Sequence, residues 1–204
     1  MIYNYFDSSC RIIVDEFNYL VQGLDVRQKE QYAIDKLCEA DLVFRLGNPF
    51  RQLARYTVQG SKGQDIIVDY KDFRVEVKYW RYWFGGTGKQ KLVWKDAFQK
   101  DFDWLCNQID DGQKGKRAFI GCWSPLIGWN ELLQLGSSTG TNPAPNMERL
   151  SLLPFVECTG KGVADLRTRY SENQGSFTLS ERGTKVNWSL YGLPSDFINM
   201  VMYY

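Results

Sequence analysis

The chain has 204 residues, of which 44% are apolar and 15% aromatic, and this composition excludes an intrinsically disordered chain. Its net charge of +1 favours no class of partner by itself, but it contains no histidine. The lack of histidine excludes serine–histidine and cysteine–histidine catalysis and the histidine-ligated zinc hydrolases. Hydrolytic chemistry would therefore rest on carboxylates, lysine and a hard cation such as Mg²⁺.

Two further features bound the class of protein. No apolar run approaches the roughly 18 residues that a membrane span needs, and the first ten residues lack the basic and apolar regions of a secretory signal. The five cysteines form no CxxC pair, so neither a disulfide framework nor a zinc knuckle is indicated. We therefore expect a soluble, cytoplasmic protein with no membrane partner.

The first elements predicted along the chain are two helices and a strand. Serines at positions 8 and 9 favour a helix over 9–22, and Asp25 followed by Gln28 resembles a capping box that opens a second helix over 26–39. The apolar run Leu42-Val43-Phe44 predicts a short strand over 42–45, which ends at Gly47-Asn48-Pro49.

A β-hairpin is the clearest local pattern. Two apolar stretches, 65–68 and 73–79, flank the polar turn Asp69 to Asp72. An amphipathic helix over 93–110 and a buried strand over 117–123 follow.

The segment 136–147 is rich in Ser, Thr, Gly, Pro and Asn, and it predicts a boundary between residues 1–135 and a β-rich extension, 136–204, packed on the core. Glycines separate the predicted elements of the extension. These are strands over 149–157, 163–169, 175–181 and 185–191 and a final helix over 196–203.

Candidate chemistry lies on the hairpin. Strand alternation places Glu76 and Lys78 on one face of the second strand. If the hairpin closes symmetrically around its turn, Val68 lies opposite Phe73 and Asp65 lies opposite Glu76. Two directly opposed carboxylates repel each other unless a cation or a proton lies between them, so this register predicts a metal site.

The same register gives each group a role. Asp65 and Glu76 would bind the cation, and the carbonyl oxygen of Val77 would add a further ligand. Lys78 would orient or deprotonate a metal-bound water. The other acid-x-Lys triplet, Asp69-Tyr70-Lys71, lies in the turn and is interpreted as a solvated turn segment.

The predicted order of elements between residues 26 and 123 is αβββαβ, with an acidic residue opening one strand and Glu-x-Lys on the next. This pattern resembles the PD-(D/E)xK nuclease superfamily, the restriction-endonuclease-like fold, with a layout similar to Holliday-junction resolvases. The resemblance implies an α/β core, Mg²⁺ or Mn²⁺ as cofactor, and catalytic roles for Asp65, Glu76 and Lys78. Many members also carry a glutamate on the first core helix, for which Glu30 is the candidate and Glu39 and Glu16 are substitutes. Gln64 departs from the motif, since it stands where the family has proline.

The implied function is metal-dependent hydrolysis of phosphodiester bonds in nucleic acid, DNA in preference to RNA. Residues 51–100 carry 11 Lys or Arg and 5 Asp or Glu, which suits a strip that faces phosphates. Members of the family often act as dimers, so a homodimer is a further expectation. Two alternatives stay open. The first is a non-catalytic protein that uses this fold to bind nucleic acid or a protein partner, and the second is an unrelated α/β fold.

Overall fold

The structure is a computed structural model that describes residues 2–52, 54–56, 64–80, 98–124, 147–158, 166–168, 172–179, 183–193 and 195–204. Within these ranges the chain is a mixed α/β protein. Its five α-helices are α1 (Ile2–Leu20), α2 (Val26–Lys36), α3 (Glu39–Gly47), α4 (Lys100–Gln108) and α5 (Met147–Ser151). Its strands are β1 (Ala54–Tyr56), β2 (Ile66–Val68), β3 (Phe73–Trp80), β4 (Arg117–Trp123), β5 (Val156–Cys158), β6 (Leu166–Thr168), β7 (Gln174–Thr178), β8 (Lys185–Tyr191) and β9 (Asn199–Tyr203).

Seven of these strands form one sheet with the order β1-β2-β3-β4-β9-β8-β7, and β5 pairs separately with β6. Strands β3 and β4 are parallel and are connected through α4, whereas every other pair among the described strands is antiparallel. From α3 onward the order of elements is α3, β1, β2, β3, α4, β4.

Helices cover both faces of the sheet. On one face the apolar stripe of α1, which includes Phe6, Ile13 and Phe17, packs with α3 against one set of alternating strand residues. On the other face Phe98 and residues of α4 pack against the opposite set, which includes Trp80 and tryptophan and tyrosine side chains of β4 and β9. Every residue of β4 and β9 is buried, as two covered faces require.

Several predicted elements are confirmed. Asp25 and Gln28 form the expected capping box, in which the Gln28 amide donates to Asp25 Oδ1 at 2.9 Å. The hairpin has the expected register, with Val68 opposite Phe73, and strand 117–123 has the expected bounds. The triplet Asp69-Tyr70-Lys71 forms an exposed 3₁₀ turn, as expected.

The strand predicted over 42–45 is wrong, because these residues lie in α3. Leu42, Val43 and Leu46 are buried on one helical face, whereas Phe44 is 60% exposed. The preceding helix ends at Lys36, since Leu37 and Cys38 both have extended backbone angles. The first strand of the sheet is instead β1, Ala54–Tyr56.

Two predictions in the second half are also wrong. The final helix predicted over 196–203 is strand β9, whose five residues are all buried and so show no polar helical face. The strand predicted over 149–157 begins as α5, and only Val156–Cys158 is extended. Strands β6, β7 and β8 fall within or beside the ranges predicted for them. Because β9 lies between β4 and β8, residues before and after position 136 share one sheet.

Some predictions fall beyond the described residues. Residues 93–97 of the helix predicted over 93–110 and most of the boundary segment 136–147 belong to this group. Among the helices that are described, none has the length and apolarity of a transmembrane span.

A buried arginine joins the hairpin turn to the rest of the sheet. Arg117 is 4% exposed, and its guanidinium donates to the Asp72 carbonyl at 2.6 Å and to Gln108 Oε1 at 2.9 Å. Asp72 itself adopts a left-handed conformation with φ of 48°, so the turn needs such support.

We expect Arg117→Met to lower the free energy of unfolding by about 2–4 kcal/mol, because the Asp72 carbonyl and the Gln108 side chain lose their charged donor, which is itself buried. Urea denaturation followed by circular dichroism measures this loss. Arg11→Met removes an exposed i,i+4 pair with Asp7 and should cost less than about 1 kcal/mol. Equal losses in the two variants would contradict the stabilising role assigned to the hydrogen bonds of Arg117.

Candidate metal centre

The candidate site lies beside β3, where its pairing with β2 ends among the described residues. Strand β2 has three residues and pairs with β3 only from Phe73 to Val75, whereas β3 continues to Trp80. Among the described residues, no strand pairs with this side of β3 beyond Val75. Backbone groups that would otherwise join a ladder therefore need other partners.

Carboxylates supply those partners. The amide of Val77 donates to Asp65 Oδ2 at 2.7 Å, and the amide of Tyr79 donates to Glu39 Oε2 at 3.2 Å. In a β-strand the amide and the carbonyl of one residue point to the same side, so the carbonyl of Val77 also faces this gap. The gap thus contains the carbonyl oxygen that the sequence predicted as a ligand.

Asp65 and Glu76 interact as the register predicts. Asp65 immediately precedes β2, and continuing the observed pairing places it opposite Glu76. Burial raises the pKa of Glu76 to about 9, and the charges of Asp101 and Asp65, together with a hydrogen bond to Asp65, act in the same direction. The raised pKa favours the protonated form of Glu76, as expected for a half-buried carboxyl group that faces other acids.

Lys78 lies on the same face of β3, between two carboxylates. Its Nζ atom is 3.2 Å from Glu39 Oε1 and 3.6 Å from Asp101 Oδ2. Burial lowers the pKa of Lys78, but the charges of Glu39 and Asp101 outweigh it, and the pKa is raised above its usual value. Lys78 is consequently an ammonium that can donate hydrogen bonds and stabilise negative charge.

The glutamate that reaches this site is Glu39, the first residue of α3. Position one of a helix suits a carboxylate, because the helix dipole is positive there. Glu30 lies on α2 and makes no hydrogen bond or ion pair with another described residue of the site. Glu16 pairs instead with Arg45 at 2.6 Å. Glu30 was the candidate because it lies in helical register with Ala33, Ile34 and Leu37, but within α2 only Ala33 is buried and Ile34 is 47% exposed.

Asp101 was not predicted. It lies in the first turn of α4, is 6% exposed, and burial raises its pKa to about 6, although Lys78 opposes this. Its Oδ2 atom has no hydrogen-bond partner among the described residues. A signal was present in the sequence, since Asp101 lies three residues after Phe98 and four before Leu105, within the apolar stripe of its helix.

The oxygen atoms at this site are the kind of ligand that a hard divalent cation prefers. Four carboxyl groups, those of Glu39, Asp65, Glu76 and Asp101, lie around the ammonium of Lys78, and the buried Asp101 Oδ2 atom has no hydrogen bond to any described residue. An all-oxygen donor set suits Mg²⁺ or Mn²⁺. As arranged here, no three acidic or thiol side chains within the described ranges converge at metal-ligand spacing. The fit therefore rests on Asp65 and Glu76, supplemented by the Val77 carbonyl.

Comparison of the chain with family models, with curated proteins and with solved structures finds no match.

Proposed function

We propose that this chain is a Mg²⁺- or Mn²⁺-dependent nuclease that hydrolyses phosphodiester bonds, DNA in preference to RNA, with a core of the PD-(D/E)xK type. The proposal rests on one observation: Asp65 lies opposite Glu76, and the ammonium of Lys78, which pairs with Glu39, lies on the same strand face as Glu76. The order α3, β1, β2, β3, α4, β4, with β3 parallel to β4, also agrees with such a core.

Each residue has a distinct task in this mechanism. Asp65 and Glu76, with the carbonyl of Val77, would hold the cation. When bound, the cation would polarise the phosphate and lower the pKa of a water molecule. Lys78 would donate hydrogen bonds to the attacking water or to the phosphate oxygens and would stabilise their developing negative charge. Glu39 positions Lys78 and also binds the edge of β3 through Tyr79.

The test is cleavage by the purified full chain of plasmid, single-stranded and branched DNA and of RNA, with Mg²⁺ or Mn²⁺ and with EDTA. We expect metal-dependent cleavage that Lys78→Ala lowers by about 100-fold or more, because removing preorganised charge stabilisation has effects of this size. Circular dichroism in the presence of Mg²⁺ confirms that the variant is folded.

Lys71→Ala is the matched control, since Lys71 belongs to the other acid-x-Lys triplet and lies in an exposed turn. It should cleave like the wild type. Equal activity of the wild type and Lys78→Ala on every substrate would refute the mechanism. A wild type that neither cleaves nor binds Mg²⁺ in calorimetry would favour the alternative, a non-catalytic protein that uses the fold for binding.

A further inference from the structure

Asp101 is an acidic residue buried among apolar side chains. It lies on an apolar stripe formed by Phe98, just before α4, and by Phe102 and Leu105 of α4, all of which are at most 1% exposed. A carboxylate in such surroundings costs free energy unless it is fully hydrogen-bonded, and Asp101 Oδ2 has no hydrogen bond within the described part of the chain. Stability alone therefore does not account for an acidic residue at this position.

The neighbour that Asp101 does have is the ammonium of Lys78, 3.6 Å from its Oδ2 atom. Glu39 approaches the same ammonium from α3, so carboxylates on two different helices bracket it. Both are held in place. Glu39 accepts a hydrogen bond from the Tyr79 amide, and the ring of Phe98, two residues before α4, packs against Trp80 with ring centroids 5.3 Å apart.

We propose that Asp101 is a positioning residue that holds the Lys78 ammonium at the reacting phosphate from α4, and that it is not itself a metal ligand. This inference rests on the proposed nuclease function for its catalytic part. In this proposal the position of the Lys78 ammonium depends on α4, which connects β3 to β4, as well as on the hairpin. A misplaced catalytic group of this kind costs about 10–100-fold in rate.

The test compares Asp101→Asn with Asp103→Asn. Asp103 lies on the same helix, is half-buried and accepts from Gln99 Nε2 at 3.0 Å, so its replacement changes charge by the same amount without touching Lys78. For Asp101→Asn we expect kcat to fall about 10–100-fold, while KM and the Mg²⁺ affinity measured by calorimetry stay within about twofold. Asp101→Glu, which keeps the charge, should recover part of kcat. Asp103→Asn should behave like the wild type.

Two results would overturn the proposal. A fall in Mg²⁺ affinity that parallels kcat would make Asp101 a ligand of the metal. Additive losses of Asp101→Asn and Lys78→Ala in the double variant would show that Asp101 does not act through Lys78.

A readout independent of cleavage separates this proposal from the proposed function. In ¹⁵N-lysine-labelled protein, the ammonium signal of Lys78 should shift in Asp101→Asn and stay in place in Asp103→Asn. If the wild type cleaves no substrate but this shift occurs, the nuclease proposal fails while the contact of Asp101 with Lys78 stands. An unchanged signal in Asp101→Asn overturns the positioning role whatever the activity.

Discussion

Replacing Glu76 by glutamine is expected to abolish metal-dependent cleavage and, at the same time, to make the metal-free protein more stable at neutral and alkaline pH. The activity is lost because a neutral amide is a much weaker ligand for a hard cation than a carboxylate is. Removing a carboxylate of a metal site should lower the rate by about 1000-fold, within the range seen when one electrostatic stabiliser is lost.

The gain in stability follows from the raised pKa of Glu76. A carboxyl whose folded-state pKa is about 9 binds its proton more tightly in the folded chain than in the unfolded chain, where the pKa is near 4.5. Its contribution to stability is thus complete below about pH 4.5 and is lost progressively as the pH rises to about 9. Glutamine keeps the neutral form at every pH, so linkage between these two pKa values sets an upper limit of about 5 kcal/mol on the gain at pH 8.

Urea denaturation of wild type and Glu76→Gln between pH 5 and pH 9, in EDTA, measures this difference. Glu148→Gln on the exposed surface of α5 is the control and should follow the wild-type pH dependence. Parallel stability curves for Glu76→Gln and the wild type would contradict the assignment of a proton to the Asp65–Glu76 pair. Added Mg²⁺ should stabilise the wild type but not the Glu76→Gln variant.

Gly121→Ala is expected to destabilise the fold around the site. A Cβ atom at position 121 would lie 2.5 Å from Cη2 and 2.7 Å from Cζ2 of Trp80. Trp80 is 1% exposed and stacks on Trp123 with ring centroids 5.5 Å apart, so its indole has little room to move. Overpacking of this kind costs about 1–3 kcal/mol.

The variant should also lose activity, since Gly121 pairs with Lys78 across β3 and β4. Thermal unfolding and a cleavage assay measure the two losses. The double variant Gly121→Ala with Trp80→Phe provides the room for the new methyl group and should be less impaired than additivity of the two changes predicts. A Gly121→Ala protein with wild-type stability would show that Trp80 can move aside.

The sequence alone was sufficient for the part of the site that is local in the chain. The register of the hairpin follows from its short turn and from the alternation of side chains along each strand. The sequence therefore predicts that Asp65 lies opposite Glu76 and that Lys78 lies on the same face of the strand as Glu76. The two carboxylates that hold Lys78 could not be derived in this way. Glu39 and Asp101 reach it from other elements, 39 and 23 positions away along the chain.

The errors in the fold have a common physical origin. Short apolar runs fit either a strand or one face of a helix, and tertiary packing decides between the two. Leu42 to Phe44 became helical because Leu46 completes a buried face with Leu42 and Val43. The run Asn199 to Tyr203 became a strand because a gap between β4 and β8 buries both of its faces.

The position of β9 has a consequence for how the chain folds. β9 follows all the other described strands in sequence, yet it joins β4 to β8 in the interior of the sheet. Until β9 has been synthesised and inserted, the apolar edge of β4 is open, and an unpaired edge of this kind is prone to aggregation. The contacts that close the sheet span about 80 positions between β4 and β9, and such non-local pairing slows folding. The hairpin that carries Asp65, Glu76 and Lys78 is local by comparison, so its register can form while the centre of the sheet is still incomplete.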